Sequence, residues 1–436
     1  MRGFLASSTG VTCAAALALP LAPPAAATTP AATTTSPAPP VTRAAAGPEA
    51  YAAGGTQSLP LASRSSDRAP GAAEQGLARR DVRPFSLVGV VWDNPATELH
   101  GRVEVRTRAT ATGAWSGWRE LETHNADHAA DPGSPESTSG RVRGATAPLW
   151  VGESDGVEVR VRAETTPGTA RTAPARSRLP GGLRIDLVDP GKAAPPPAHR
   201  ARTEAAEPAE PAVLPARPAR QKTKPHAGPR PRITTRRGWG AEEKLRDKGF
   251  VYTKKVKAAF VHHSDTGNNY RCSQAPSVIR GIYRYHVNSM GWRDLGYNFL
   301  VDKCGNIYEG RAGGVAKPVL GAHTLGFNSN SVGIAVLGTY SSKKPSSAAL
   351  KAIARLTAWK VGLYGMNPRG KTYLKSGGGN LYPKGEKVRL NVISGHRDGF
   401  ATNCPGKKLY AKLGTARAKA AAYQGRRGPR RIVEDR

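Results

Sequence analysis

The chain has 436 residues, 36 of them proline, and its 65 Lys+Arg against 32 Asp+Glu give a formal charge of +33. Alanine and proline crowd into roughly the first sixty residues and into 190–232, stretches that bury too little apolar surface to offset their ordering entropy. This excludes a uniformly globular chain, while the charge disfavours neutral partners and favours a polyanion, anionic cell-wall polymers being one candidate and nucleic acid another.

The N-terminus reads as a signal peptide over 1–27: Arg2 is a short positive region, 11–21 is apolar, and Ala25, Ala26 and Ala27 offer a cleavage site. No later stretch holds about 20 uninterrupted apolar residues, so no membrane span is expected. The protein is therefore expected to be secreted and cell-wall associated. Export also removes nucleic acid as the usual partner, and the basic residues are not interleaved with aromatics on one element. Residues 28–80 are expected to be a disordered Ala/Thr/Pro-rich segment.

From 81 to 190 the text is that of a small all-β, sandwich-like domain. Residues 85–92 form a buried-strand type of run, 101–107 and 156–162 alternate apolar with charged, and 183–188 follows. The sequence leaves its role open. Trp115, Trp118 and Trp150 are either core or a carbohydrate-stacking face. Residues 191–231 form a Pro/Ala/basic linker.

Residues 232–425 change to α/β text, with a basic tail over 426–436. A strand over 256–261 ends in His262-His263. A helix capped by Ser273 continues through Val278, Ile279, Ile282, Tyr283 and His286. Short strands over 297–302 and 306–309 precede a continuous apolar strand over 331–338. A second helix starts near Ser346 with Leu350, Ile353, Leu356 and Leu363 in helical register. Residues 391–395 lead into His396, and a last helix covers 407–423. This order predicts a mixed central sheet flanked by helices.

Without the signal peptide three cysteines remain, Cys272, Cys304 and Cys404, and an odd number outside the cell implies an intermolecular bridge, a reactive thiol or a metal ligand. His262 ends the first strand of this domain, and His396 and Cys404 lie at and after the last short one, where loops gather. Two imidazoles and a thiolate suit Zn²⁺ with a fourth position left open for catalysis. A cysteine between Asn403 and Pro405 suits a disulfide equally well.

Specific strings then carry a resemblance: Arg237-Gly-Trp-Gly240, Phe260-Val-His-His-Ser264, Gly291-Trp-Arg-Asp-Leu-Gly-Tyr-Asn-Phe-Leu300, Ile307-Tyr-Glu-Gly-Arg311, Gly321-Ala-His323, Asn328-Ser-Asn-Ser-Val-Gly-Ile-Ala335, Gly395-His-Arg-Asp398 and Thr402-Asn-Cys-Pro-Gly406. In these, residues 232–425 resemble the peptidoglycan recognition protein family and its zinc amidase relatives. The resemblance implies His262, His396 and Cys404 as zinc ligands, Tyr297 and Thr402 as catalytic groups, and a groove formed by Tyr270, His286, Trp292, Arg311, His323 and Asn328. It implies hydrolysis of the amide between N-acetylmuramic acid and L-alanine of peptidoglycan. The alternative is a non-catalytic peptidoglycan-binding protein, but members that only bind typically lose the cysteine kept here. Cys272 and Cys304 are left and are expected to pair. The stretch 312–320 departs from the family's motif for the third stem residue. Glu309 is a candidate base that nothing in the sequence places near the metal, and His263 is expected to be structural or to support the ligands.

Overall fold

The computed structural model describes residues 54–64, 74–123, 125–166, 175–176, 178–192 and 226–426, all within one compact unit. The expected signal peptide, most of the expected linker (193–225) and nearly all of the basic tail lie outside the described residues.

Six main strands build the N-terminal module: β1 Gly55–Pro60, β2 Glu74–Trp92, β3 Gly101–Ala109, β4 Arg119–Leu121, β5 Leu149–Ala163 and β6 Arg184–Asp189. They pair antiparallel in the order β1-β6-β2-β5-β3-β4. The expected boundary at 81 is therefore corrected, because β1 and residues 74–80 of β2 fall in the segment read as disordered. Their large apolar residues here are single ones, Leu59 and Leu77, scattered among polar and small neighbours, so composition hid the strand pattern. Bulges in the pairing of β2 with β5 bend both long strands.

The run read as a buried strand is buried on both faces. Val88, Val90 and Trp92 join Val103, Val105, Val157, Val159, Val161, Ile185 and Leu187 in the module's own core. Leu87, Val91 and Val188 point the other way, into a second core shared with the C-terminal domain. A strand covered on both sides loses the alternation of a half-exposed one. Trp150 is part of that shared core, whereas Trp115 and Trp118 carry guanidinium groups of Arg79, Arg106 and Arg160 against their rings.

The C-terminal domain is a five-stranded sheet of β7 Ala258–His263, β8 Phe299–Val301, β9 Ile307–Glu309, β10 Ser331–Val336 and β13 Ile393–Gly395, in the order β9-β8-β10-β7-β13. Only β9 runs antiparallel to its neighbour. Helix α1 (Ala275–Arg284) lies on the face shown by Leu300 and Ala335, and α2 (Ser347–Gly362) and α3 (Leu413–Tyr423) on the face shown by Val261, Ile334 and Val336. Ser346 caps α2 by accepting the Ala349 N–H.

Two elements differ from expectation. The helix expected over 407–423 breaks near Lys412, whose N–H bonds Leu409 O; Tyr410 thereby reaches Asp398 while Leu413 enters the core. A hairpin of β11 Lys371–Lys375 and β12 Lys387–Asn391 was not expected. The Cys272–Cys304 bridge is present, with Cα atoms 6.2 Å apart.

The two domains share the buried surface between α1 and the β2–β6 sheet. Gly281 makes that approach possible, since a Cβ there would stand 3.1 Å from Leu87 Cδ1. The Tyr285 hydroxyl donates to Thr146 O at 3.0 Å, and Arg280 donates to Pro190 O and Gly191 O. Each Leu- or Val-sized side chain buried here contributes on the order of 1.5–3 kcal/mol.

Candidate metal centre

Parallel strands β7 and β13 end side by side, and the carboxyl ends of such strands are where α/β sheets bind ligands. His262 comes from the end of β7, His396 directly follows β13, and Cys404 lies in the next loop. All are buried. Thr324 Oγ1 lies 3.4 Å from His262 Nε2, and the other ring nitrogen, Nδ1, is 3.8 Å from Cys404 Sγ. The rings of His262 and His396 have centroids 4.5 Å apart.

A fourth group arrives from the N-terminal module. His128 Nε2 stands 3.6 Å from Cys404 Sγ, and its ring is 4.5 Å from that of His396. Its Nδ1 donates to Asp127 Oδ1 at 2.7 Å, which fixes the tautomer and aims Nε2 at the thiol. One donor atom from each of His128, His262, His396 and Cys404 lies within 4.8 Å of every other.

These residues fit a zinc ion. Bonds of 2.0–2.1 Å to nitrogen and 2.3 Å to sulfur in a tetrahedron put N and S about 3.6 Å apart, and the observed separations are 3.6 and 3.8 Å. Both ring nitrogens of His396 are buried and make no hydrogen bond among the described residues. Burial holds the imidazoles of His262 and His323 far below their usual range and brings His396 to about 3, so the nitrogens are neutral donors. Burial also pushes the Cys404 thiol up. A cation reverses that preference by stabilising the thiolate outright.

Beside these four side chains lies a cavity of about 510 Å³ lined by Asp127, His128, His263, Tyr297, Thr402 and Cys404, among others. Tyr297 packs 5.5 Å from the His262 ring, and burial raises its phenol well above the usual range. Thr402 Oγ1 accepts the Cys404 N–H at 3.1 Å. His263 lines the cavity while its Nδ1 accepts the Tyr340 N–H. Glu309 is elsewhere: its carboxylate accepts the Arg236 N–H, and the candidate base is not at the His/Cys cluster.

The expected groove residues divide. Tyr270 is in the core, its hydroxyl accepting the Lys303 N–H beside the disulfide loop, and so is not brought to the centre. His286 stacks on Trp292 with centroids 4.5 Å apart and accepts the Gly296 N–H. His323 lies 5.2 Å from the His262 ring. Asn328 Oδ1 accepts the His323 and Thr324 N–H groups and fixes that corner. Arg311 closes on Glu136 of the N-terminal module. Among the described residues, none of Arg311, His323 and Asn328 is exposed.

Sequence reasoning missed His128, Asp127 and Glu136. The one signal was slight: an Asp-His dipeptide in a polar loop of a domain whose role had no reading.

Two family models match the chain, an Rv3811 N-terminal galactose-binding domain-like model over residues 24–180 and an N-acetylmuramoyl-L-alanine amidase model over residues 252–407. Peptidoglycan-recognition protein SC2 of Drosophila simulans is 33% identical over 159 residues, covering 36% of this chain and 72% of that protein. Peptidoglycan-recognition protein 1 of Holotrichia diomphalia is 31% identical over 186 residues, 42% of this chain and 79% of that one. The N-acetylmuramoyl-L-alanine amidase of Homo sapiens is 31% identical over 193 residues, 42% of this chain but 28% of its own length.

Proposed function

The chain belongs to the peptidoglycan-recognition protein family, and from that premise we propose that it is a secreted, zinc-dependent N-acetylmuramoyl-L-alanine amidase. The observation that carries this reading is the convergence of His262, His396 and Cys404 at the ends of β7 and β13, with Tyr297 and Thr402 lining the adjoining cavity.

His262, His396 and Cys404 would hold the zinc, and a bound Zn²⁺ supplies a water acidic enough to attack an amide at neutral pH. The protein's own groups do the rest. Thr324 fixes the His262 ring so that Nδ1 faces inward. Tyr297, kept protonated by burial, donates its hydroxyl to the carbonyl oxygen as negative charge develops there. Thr402 is held against Cys404 N–H and offers a second hydroxyl. A C–O bond forms from water, the lactyl C–N bond breaks, and the proton goes to the departing nitrogen, which becomes the free amino terminus of L-alanine.

The basic surplus suits a wall rich in anionic polymers. The test is the full chain, loaded with zinc, on purified peptidoglycan, with new alanine amino termini followed by mass spectrometry and Cys404→Ser as control. Termini made by the parent and not the variant support the reading. Wall binding with bound zinc and no termini, from the parent and from a full chain carrying His128→Ala alike, leaves a recognition protein.

A further inference from the structure

Residues 125–143 of the N-terminal module lie against the His/Cys cluster and the C-terminal residues beside it. His128 lies at the metal cluster, 3.6 Å from Cys404 and 4.5 Å between rings from His396. Three residues on, the Asp131 carboxylate accepts the Gly326 N–H and the Asn328 side-chain amide, each at 2.8 Å. Ala129 O takes a second proton of the same amide, and Asp127 O accepts the Leu325 N–H. Further along, Glu136 grips the Arg311 guanidinium with two bonds of 2.7 and 2.8 Å and accepts the Arg293 N–H. Ala130 and Val142 pack on the shared core, and Arg143 N–H bonds Met290 O.

These contacts have one chemical theme. The segment presents three carboxylates, Asp127, Asp131 and Glu136, to the His396 imidazole, N–H groups and a guanidinium of the C-terminal domain. An acidic peptide is what a peptidoglycan stem is as well. Catalytic zinc keeps one position open, whereas a site with four protein ligands is closed and structural in type.

We propose that the N-terminal module holds the enzyme latent: His128 is a fourth ligand to the zinc, and residues 125–143 are an intramolecular occupant of the substrate groove. Hydrolysis requires the segment to withdraw, which opens the fourth position and uncovers Arg311, His323 and Asn328 together. A tethered occupant competes with substrate at the high effective concentration of an intramolecular ligand, so free peptide at ordinary concentration does not displace it. The proposal rests on the assignment of His262, His396 and Cys404 as ligands.

The zinc-loaded full chain and its His128→Ala and Glu136→Ala variants test it. X-ray absorption at the zinc edge is expected to show three imidazoles and one sulfur in the parent, and two imidazoles, one sulfur and one oxygen without imidazole outer-shell scattering in His128→Ala. A colorimetric chelator should strip zinc from His128→Ala at least about tenfold faster. Glu136→Ala, remote from the ion, frees the segment without removing a ligand and should raise peptidoglycan hydrolysis above the parent; it also carries the test if His128→Ala does not fold. Two imidazoles in the parent spectrum, or measurable hydrolysis that is equal in the parent and both variants, overturn the proposal. Absence of hydrolysis by all three overturns the amidase reading instead. The spectrum then decides alone, three imidazoles upholding the fourth ligand and two rejecting it.

Discussion

The guanidinium of Arg311 meets the carboxylate of Glu136 through two hydrogen bonds of 2.7 and 2.8 Å, bridging 175 positions of sequence. Both side chains are under a tenth exposed. Removing one partner of such a pair leaves the other charge stranded, at a cost of about 3–5 kcal/mol unless the segment moves away and lets water in. Glu136→Ala is therefore expected to lower the thermal midpoint. Replacing both, as Glu136→Leu with Arg311→Met, should recover most of the loss, because the stranded charge is gone.

Tyr297→Phe keeps the ring packed against His262 and removes only the hydroxyl. In a chain freed by His128→Ala, turnover should fall by about 10²–10³ with bound zinc unchanged. A parallel loss of zinc would make Tyr297 a structural neighbour of the ligands instead.

Cys272 and Cys304, 32 positions apart, tie the start of α1 to the turn between β8 and β9. In the chain-entropy model a loop of that length contributes about 3–4 kcal/mol. The double serine variant should lose about that much in denaturant unfolding, with zinc content retained in the native form.

Asp186 on β6 is buried, and burial pushes its carboxyl above the usual range despite the Ser58 hydroxyl at 2.6 Å and the nearby Arg184 and Arg143. The folded chain then binds more protons than the unfolded one just above the ordinary carboxylate pKa, so this group costs stability as pH rises through that window. Asp186→Asn should melt higher than the parent at pH 7, and the difference should vanish once acid protonates Asp186 in both states. A difference that stays constant with pH contradicts the titration.

The readable parts of this protein were those whose cause is local. A strand covered on two faces produced the run at 85–92, and a buried central strand produced 331–338. Strand ends displayed His262 and His396. The hairpin β11–β12 went unread because its lysine-rich alternation brackets the Gly-rich stretch 376–379 and looks like linker. The resemblance implied Tyr270 as a groove residue, but its ring belongs to the core beside the disulfide loop. His128 was out of reach for a different reason. It meets Cys404 across 276 positions, and neither polar loop carries a pattern naming the other. A contact made only by docking two domains leaves no periodicity to read.

The most direct measurement of the amidase account uses the full chain carrying His128→Ala, loaded with zinc and incubated with purified peptidoglycan, with released peptides sequenced by mass spectrometry. The account predicts stem peptides with free L-alanine amino termini, abolished when Cys404→Ser is added in the same background. A chain that holds its zinc, binds the wall and releases no such peptides would contradict it.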